Sequence, residues 1–409
     1  MKPILYLLTS LMLLASAPVS AEQSQVEEWQ LLQSTDGSNL TARHEAAAVV
    51  LGDDIYLMGG RGNRPVERYS LITGQWENLG LAPLELHHAQ PVVIGDDIYI
   101  AGAFTCCYPR ETSVAEIHVL DTLTNTWDVV GSLPPERVRG STAAVVYSGK
   151  LYLLGGNTQG HDGGAVAWFD EYDPVSGQWR ILPDAPNARD HFSAVMAGTE
   201  LVAASGRQTT QPNPAANPVS VVDIYDFQTG QWRSGAPIPT VRGGAVVAAY
   251  GVDVIVAGGE INTSDLALNV VEAYDLSKDA WRSLPTMISG RHGSGGGISG
   301  QQMYMLSGAN LIGGSTESDD SETLQLHEMI VIEEPVEPVE PVEPVEPVDP
   351  VDPVDPDVDE IEPEEQGEDS DGEPVSSSGG GGAFELSMLL SLSGLLLLRR
   401  QRRKGSCFA

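Results

Sequence analysis

The sequence has few cysteines and few basic residues, and each shortage excludes a class of protein. Three cysteines in 409 residues are too few for a disulfide scaffold, so burial of apolar surface must hold the fold together. Lysine and arginine number 22 against 57 aspartates and glutamates, which gives a formal net charge of −35. Nucleic-acid binding requires clustered basic residues, so no nucleic-acid partner is expected.

Long apolar runs are confined to the two ends of the chain. At the start, Lys2 is followed by an apolar run from Ile4 to Leu14 and by the small-residue ending Val19-Ser20-Ala21. This order of a basic residue, an apolar core and a small-residue cleavage site is typical of a secretory signal peptide. We therefore expect residues 1–21 to be removed and the rest of the chain to be exported.

An acidic, proline-rich segment occupies residues 333–378, with 19 acidic residues and no lysine or arginine. Between Glu334 and Asp357, eight prolines recur at every third position. Proline lacks the backbone donor that helices and sheets need, and like charges repel, so we expect a disordered stalk. As polyproline II at ~3.1 Å per residue, this part of the stalk would span about 74 Å.

Residues 22–332 contain a repeat. Six tryptophans, separated by 47, 51, 52, 53 and 49 residues, mark it: Trp29, Trp76, Trp127, Trp179, Trp232 and Trp281. Each copy contains two short β-branched runs, as in RHEAAAVVLGDDIYLMGG, then a segment such as VERYS, and then a turn and tryptophan, as in TGQWENL. These runs and turns predict four antiparallel strands per copy. Six such sheets bury their faces by stacking radially.

The copies share two further marks. A glycine doublet follows the second run at Gly59-Gly60, Gly155-Gly156 and Gly258-Gly259, and a tyrosine stands seven residues before most of the tryptophans. On these marks the sequence resembles the kelch family of the galactose oxidase/kelch superfamily. The resemblance implies an all-β, six-bladed kelch-type β-propeller. The sixth copy lacks its tryptophan strand, so we expect Glu28 to Gln33 to complete that blade and close the ring.

In a four-stranded meander, the segments before the first strand and after the second strand share one face. The first set carries a group of cationic side chains that we take as the candidate ligand-binding residues: Arg43, His44, His87, His88, Arg139, Arg189, His191, Arg242, Arg291 and His292. Such a ring could hold an anionic sugar or a carboxylate. In the alternative interpretation, the arginines instead pair with the carboxylates nine residues before the tryptophans, Glu67, Asp170, Asp223 and Glu272.

The loops after the second strands are long and dissimilar, and variable loops on a rigid scaffold commonly carry function. One of them, AFTCCYPRETS, contains the adjacent cysteines Cys106 and Cys107. They form a candidate vicinal disulfide, which would act either as a rigid structural element or as a ligand contact or redox element.

No catalytic triad, phosphate loop or zinc-binding spacing is present in the sequence. We therefore expect no catalytic residue, metal or cofactor, and a non-enzymatic module that binds a glycan or a protein through its loops. The propeller resemblance leaves a carbohydrate-active enzyme open, similar to a sialic-acid mutarotase or a copper radical oxidase. A structural surface spacer is a further alternative.

The C-terminal residues 379–409 combine the glycines Gly379, Gly380, Gly381 and Gly382 with a short apolar run and a basic cluster. This order resembles the GlyGly-CTERM sorting signal of Gram-negative bacteria. The resemblance implies a short hydrophobic helix that holds the precursor in the inner membrane. It also implies cleavage near the glycines by a rhomboid-type protease and release by type II secretion to the cell surface or medium. The alternative is a permanent tail anchor.

Overall fold

The computed structural model describes residues 28–326, which form six four-stranded antiparallel sheets. We call each sheet a blade. The first strand of each blade contacts the first strands of its two neighbours, and blade 6 contacts blade 1, so the blades surround a common axis. This arrangement confirms the six-bladed propeller predicted from the repeat. The expected signal peptide, stalk and C-terminal sorting segment lie outside the described residues, and within residues 28–326 no helix meets the length and hydropathy of a membrane span.

Strands one to four of each blade follow one another in the chain, except in blade 6. Blades 1 to 3 contain Ala46–Leu51, Asp54–Gly59, Pro65–Ser70 and Gln75–Leu81; Val92–Ile94, Asp97–Ile100, Glu116–Asp121 and Thr126–Ser132; and Ala143–Tyr147, Lys150–Leu154, Phe169–Asp173 and Gln178–Ile181. Blades 4 to 6 contain Ser193–Ala197, Glu200–Ala204, Val222–Asp226 and Gln231–Gly235; Val246–Tyr250, Asp253–Ala257, Val271–Asp275 and Ala280–Leu284; and Gly295–Ser299, Gln302–Leu306, Ser321–Gln325 and Gln30–Leu31.

Outside the blades, the described residues contain one two-stranded hairpin and three short 3₁₀ helices. The hairpin pairs Phe104–Thr105 with Thr112–Ser113, and the helices are Pro135–Arg137, Gly160–Asp162 and Ile312–Gly314. The hairpin and the last two helices lie in the variable loops that follow the second strands.

The turn between strands three and four of blades 1 to 5 needs a residue with positive φ. The residue two positions before each tryptophan supplies it, with φ between 50° and 70°: Gly74, Asn125, Gly177, Gly230 and Asp279. Glycine, asparagine and aspartate tolerate this conformation best. The turns predicted from the sequence are therefore confirmed.

The hydrophobic core is divided among the six blade–blade interfaces. At the interface of blades 1 and 6, for example, Ile55 and Leu57 pack with Tyr304 and Leu306. Five comparable clusters fill the other interfaces. Because each blade buries its two faces only against its neighbours, the core is complete only when the ring is closed.

Closure occurs through the N-terminal strand, as the sequence predicted. Gln30 lies opposite Thr323 and Leu31 opposite Glu322, in antiparallel pairing with the third strand of blade 6. The preceding Trp29 is buried in the cluster between blades 5 and 6 and donates its indole hydrogen bond to the carbonyl of Pro285 at 2.8 Å. The ring is thus closed without a covalent link.

Candidate functional site

The segments before the first strands and after the second strands lie side by side, on what we call the loop face. Backbone bridges join these two segments in blades 2 to 6, as between His87 and Phe104 or between Asp190 and Arg207. The opposite face carries the short hairpin turns. The loop face therefore collects the residues that sequence analysis assigned to ligand binding.

The five arginines of the expected cationic ring are buried, each at 1% exposure or less. Each forms an ion pair with a carboxylate on the third strand of its own blade: Arg43 with Glu67, Arg139 with Asp170, Arg189 with Asp223, Arg242 with Glu272, and Arg291 with Glu322. Further hydrogen bonds run to backbone carbonyls, as from Arg189 to Ser205 at 2.9 Å. These guanidinium groups fix the chain before the first strand and are not available to a ligand.

A different ring of residues surrounds the axis. It consists of residues one to four positions before the first strands, all with φ between 51° and 65°: Glu45, His88, Ser141, His191, Gly244 and Gly293. We call it the axial ring. Backbone hydrogen bonds connect its members, as from Gly293 to Gly244 at 2.9 Å and from Gly244 to His191 at 2.7 Å.

Four members of the axial ring are not glycine, although glycine is the residue that adopts positive φ without steric cost. A side chain in the left-handed region costs roughly 1–2 kcal/mol. Such residues cluster at functional sites, where the side chain is needed despite the strain. The side chains of Glu45, His88 and His191 therefore mark the axis as the candidate site.

Three histidines meet beside the axis. The ring centroids of His88 and His191 are 4.6 Å apart, and His161 lies 5.4 Å from the first and 4.9 Å from the second. One ring nitrogen of each lies within 4.8 Å of the other two. All three residues are buried, at 5% to 8% exposure. We call them the histidine cluster.

Carboxylates bind the outer nitrogens of this cluster. The Nδ1 atom of His191 is hydrogen-bonded to Asp190, and the Nδ1 atom of His161 lies 2.7 Å from an oxygen of Glu111. The Nε2 atom of His88 lies 3.1 Å from Glu45. The Nδ1 atom of His88 lies 2.5 Å from that of His87, and the Nε2 atom of His191 is buried without a hydrogen-bond partner in the described part of the chain.

Burial and neighbouring charges shift the pKa values of the ionisable groups at the site. Burial lowers the pKa of both His88 and His191, so both rings are neutral at pH 7 despite their carboxylate neighbours. Burial by itself raises the pKa of Glu111, but hydrogen bonds from His161 and Arg61 outweigh it and lower this pKa to about 2. His88 and His191 are therefore neutral imidazoles, and they lie beside carboxylates whose pKa values are lowered.

The other expected histidines lie around the cluster. The Nε2 atom of His87 donates a hydrogen bond to the carbonyl of Cys106 at 3.1 Å, and burial lowers the pKa of His87 to about 4. His44 pairs with Glu317 at 2.7 Å, and His292 donates to the carbonyl of Leu311 at 3.0 Å. All five histidines named from the sequence are thus placed on the loop face.

The cavity next to the axial ring is small. A cavity of about 90 Å³ is lined by members of the ring, including Glu45, His88, Ser141 and His191. A water molecule occupies about 30 Å³ of liquid volume, so this cavity has room for a few waters and not for a sugar ring or a peptide. A second cavity of about 350 Å³ lies along the first strands of the six blades, with a mostly apolar lining that includes Val49, Val145 and Val247.

An exposed aromatic side chain lies on the two-stranded hairpin of blade 2, which we call the crest. Cys106 and Cys107 are joined by a disulfide at its tip, and both are exposed. Tyr108 follows, 61% exposed, with the guanidinium of Arg61 5.9 Å from its ring centroid. The ring of Tyr108 is 5.1 Å from that of His161, so the crest adjoins the histidine cluster.

Sequence analysis missed His161, Glu111, Asp190 and Arg207. His161 and Glu111 stand in loops without a repeat register, and Asp190 and Arg207 were not distinguished from their neighbours in the repeat. The sequence signal that was available is the pair of ionisable residues in each of the loops NTQGHDGGA and AFTCCYPRETS. The expected cleavage glycines Gly379–Gly382 lie outside the described residues.

Comparison with known proteins identifies relatives of this fold. The KLHDC2/KLHL20/DRC7 Kelch-repeats domain matches residues 86–308, and the Kelch motif matches residues 42–80. The Kelch-like protein terF of Aspergillus terreus is 28% identical over 347 residues, covering 79% of this chain and 74% of terF. Kelch-like protein 25 of Xenopus tropicalis is 26% identical over 256 residues, covering 60% of this chain and 41% of that protein.

The chain thus spans less than half the length of the vertebrate kelch-like proteins it matches. Among solved structures, the structure of YjhT superposes with a TM-score of 0.60 at 15% identity, covering 69% of this chain and 95% of the YjhT chain. This likeness shows a common propeller fold.

Proposed function

We propose that this chain, which belongs to the kelch-repeat family, is an exported, non-enzymatic module that binds a protein ligand on its loop face. Kelch propellers generally bind protein partners, and the fold also carries enzymes. The observation that carries the proposal is the exposed Tyr108 on the disulfide-linked crest, beside Arg61.

The composition of the crest supports this proposal. Tyrosine and arginine are enriched at the centres of protein interfaces because they bury a large area and also form directed polar contacts. Arg110 follows closely, with 83% of its side chain exposed and a 2.6 Å ion pair to Asp162. Arg61 and Arg110 already pair with Glu111 and Asp162. The exposed ring of Tyr108 is therefore the main contact that the crest offers to a ligand.

A glycan ligand remains in the same proposal as the second class, because the exposed ring of Tyr108 could also stack on a sugar. Because the exposed ring of Tyr108 is on the crest, either ligand would lie across the crest. A glycan array and a random peptide phage library distinguish the two classes directly.

The test compares two single variants of the secreted protein. Tyr108→Ala removes the exposed ring at the crest, and Leu123→Ala removes a side chain of 78% exposure from a hairpin turn on the opposite face. With the peptides selected from the library, we expect Tyr108→Ala to weaken binding at least about tenfold, in line with the loss of an aromatic contact residue. Leu123→Ala should bind as the unaltered protein does.

Two results would overturn the proposal. The first is the absence of any selected peptide and any array signal. The second is a ligand whose affinity is the same for the unaltered protein and for Tyr108→Ala, since the ligand would then bind elsewhere.

The histidine cluster is the observation that favours an enzyme as the second candidate. A copper radical oxidase needs a cysteine thiol to crosslink with tyrosine, and the two cysteines among residues 28–326 are joined to each other. A mutarotase would need a cationic pocket of sugar size, and the arginines are held in ion pairs below the loop face. We therefore place binding before catalysis.

Export and sorting belong to the same proposal. The leader at residues 1–21 would direct the chain across the inner membrane, and the precursor would remain anchored through residues 379–409 until a rhomboid-type protease cuts near Gly379–Gly382. Type II secretion would then present the propeller at the cell surface or release it. The support is the order of glycines, apolar run and basic cluster in the sequence.

A further inference from the structure

We propose that the histidine cluster binds one divalent transition-metal ion, with His88, His161 and His191 as its three protein ligands. One nitrogen of each imidazole lies within 4.8 Å of the other two. No part of the binding proposal above depends on this site, and the site does not depend on that proposal.

An unpaired nitrogen points to a ligand. The Nε2 atom of His191 is buried without a hydrogen-bond partner among residues 28–326. His88, by contrast, contacts Glu45 through Nε2 and His87 through Nδ1, contacts that a metal bond would have to replace. The side chains of both residues are 1% exposed. A buried polar atom without a partner costs roughly 1–3 kcal/mol, and a metal bond would offset that cost.

The outer nitrogens have the partners that metal ligands need. Asp190 holds the Nδ1 atom of His191, and Glu111 holds the Nδ1 atom of His161 at 2.7 Å. A carboxylate on one nitrogen fixes the tautomer, so that the lone pair of the other nitrogen is directed inward. The Nε2 atom of His161 lies 3.5 Å from Arg207, at the limit of a hydrogen bond, which a metal bond would replace.

The local charge also suits a divalent cation. Four buried carboxylates, Glu45, Glu111, Asp190 and Glu260, lie in or beside the cluster. Two guanidinium groups oppose them, because Arg61 pairs with Glu111 and Arg207 pairs with Glu260. Four negative and two positive side chains leave two net negative charges, which one divalent cation would neutralise.

The geometry sets the class of metal. Three imidazole ligands favour Zn²⁺, Ni²⁺ or Cu²⁺ over Mg²⁺ and Ca²⁺, which prefer oxygen ligands. A tetrahedral Zn²⁺ with bonds of about 2.0–2.1 Å holds its nitrogens about 3.4 Å apart. The imidazoles would therefore draw together by on the order of 1 Å. His161 lies in the short helix Gly160–Asp162 within a loop, where such a shift is feasible.

The fourth metal position would face water. The cavity of about 90 Å³ next to the axial ring is lined by both His88 and His191 and has room for bound water. An ion held by three histidines with water in the fourth position has the arrangement of an open zinc site.

The test uses the secreted full chain, carried on an affinity tag that contains no histidine. After dialysis against a chelator, titration calorimetry with Zn²⁺ should give one site per chain. Co²⁺ should give the intense visible absorption of a four-coordinate ion, and Zn²⁺ should abolish it. Mg²⁺ and Ca²⁺ should give neither signal.

Four variants locate the site. His88→Asn and His191→Asn keep a residue that tolerates positive φ, and His161→Gln changes a loop. Each should weaken Zn²⁺ binding at least about 100-fold. Glu111→Gln should weaken it by about 10- to 100-fold, as expected for a residue that positions a ligand. Near-ultraviolet circular dichroism checks that each variant is folded.

The matched control is His44→Gln, which removes a loop-face histidine that pairs with Glu317 outside the cluster. It should bind Zn²⁺ as the unaltered protein does, and so should Tyr108→Ala. The proposal fails if the unaltered protein takes up no stoichiometric Zn²⁺. It also fails if folded His161→Gln binds Zn²⁺ with undiminished affinity.

Discussion

At the scale of single residues, the protein uses its buried charges in two ways. The repeated arginines are neutralised by carboxylates and act on the fold, since each joins the chain before strand one to strand three of its own blade. Burial lowers the pKa of Arg43 and of Arg139 to about 10, which leaves both charged at pH 7. The histidine cluster, by contrast, leaves the Nε2 atom of His191 without a partner and serves the metal binding that we infer.

The structural role of the arginines predicts a large loss of stability when one partner is removed. Asp223→Asn leaves the guanidinium of Arg189 buried without its counter-charge, which should lower the free energy of unfolding by about 3–5 kcal/mol. The matched control in the same blade is Glu200→Gln, which breaks a more exposed pair with Arg233 and should cost less than about 1 kcal/mol. Denaturant unfolding measures both values, and similar losses for the two variants would contradict the prediction.

At the scale of elements, one very short strand closes the ring. Gln30–Leu31 is only a two-residue strand, yet it completes blade 6 and places Trp29 in the core between blades 5 and 6. A propeller without this strand would expose the third strand of blade 6 as an unpaired edge.

Trp29 therefore offers a direct test of closure. Trp29→Ala removes a side chain of 5% exposure and should lower the free energy of unfolding by about 3–5 kcal/mol, the usual cost of emptying such a site. Leu31→Ala on the same strand is the control, because Leu31 is 53% exposed and should cost less than about 1 kcal/mol. If Trp29→Ala unfolds at the same denaturant concentration as the unaltered protein, the strand does not hold the ring closed.

The loops after the second strands supply residues to both candidate sites. The crest supplies Tyr108 and Glu111, and the loop of blade 3 supplies His161, which Glu111 contacts. The candidate metal site and the candidate ligand surface therefore share one hairpin. A change in the crest near Glu111 is expected to affect both, whereas Tyr108 itself makes no bond to the metal ligands.

At the scale of the whole molecule, the sequence predicts an exported propeller that is separated by an acidic stalk from a sorting tail. The acidic balance of the chain, −35 in formal charge, favours solubility and repels anionic surfaces. Residues 1–27 and 327–409 lie outside the described residues, so the predicted cleavage of the tail is tested on the purified protein.

Mass spectrometry of the protein purified from a type II-secreting Gram-negative host provides that test. We expect a mature chain that starts near Glu22 and ends among Gly379–Gly382, because the rhomboid-type protease would cut there. Replacing the four glycines with leucines should retain the chain in the membrane fraction. Recovery of the peptide containing Arg399 to Lys404 from the secreted protein would contradict cleavage and favour a permanent anchor.

The predictable part of the molecule is the part that repeats. The spacing of the tryptophans, the turn residues before them and the glycine doublets each occur several times, so the four-stranded blades and the number of blades were accessible from the sequence. Even closure by residues 28–33 was accessible, because one tryptophan strand was missing at the end and one was left over at the start. Because the blades share one sequence pattern, the pattern of a single blade also predicts how neighbouring blades pack.

The candidate site could be predicted only in part, because its residues lie far apart in the sequence. His88 and His191 occupy repeat positions and could be named, but His161 and Glu111 stand in loops whose conformation depends on neighbouring blades. Whether a repeated arginine faces a ligand or a buried carboxylate also depends on which side chain lies opposite. The sequence by itself determined the blades and their order. Only the tertiary structure decided that each repeated arginine pairs with a buried carboxylate of its own blade and that three histidines from different blades meet.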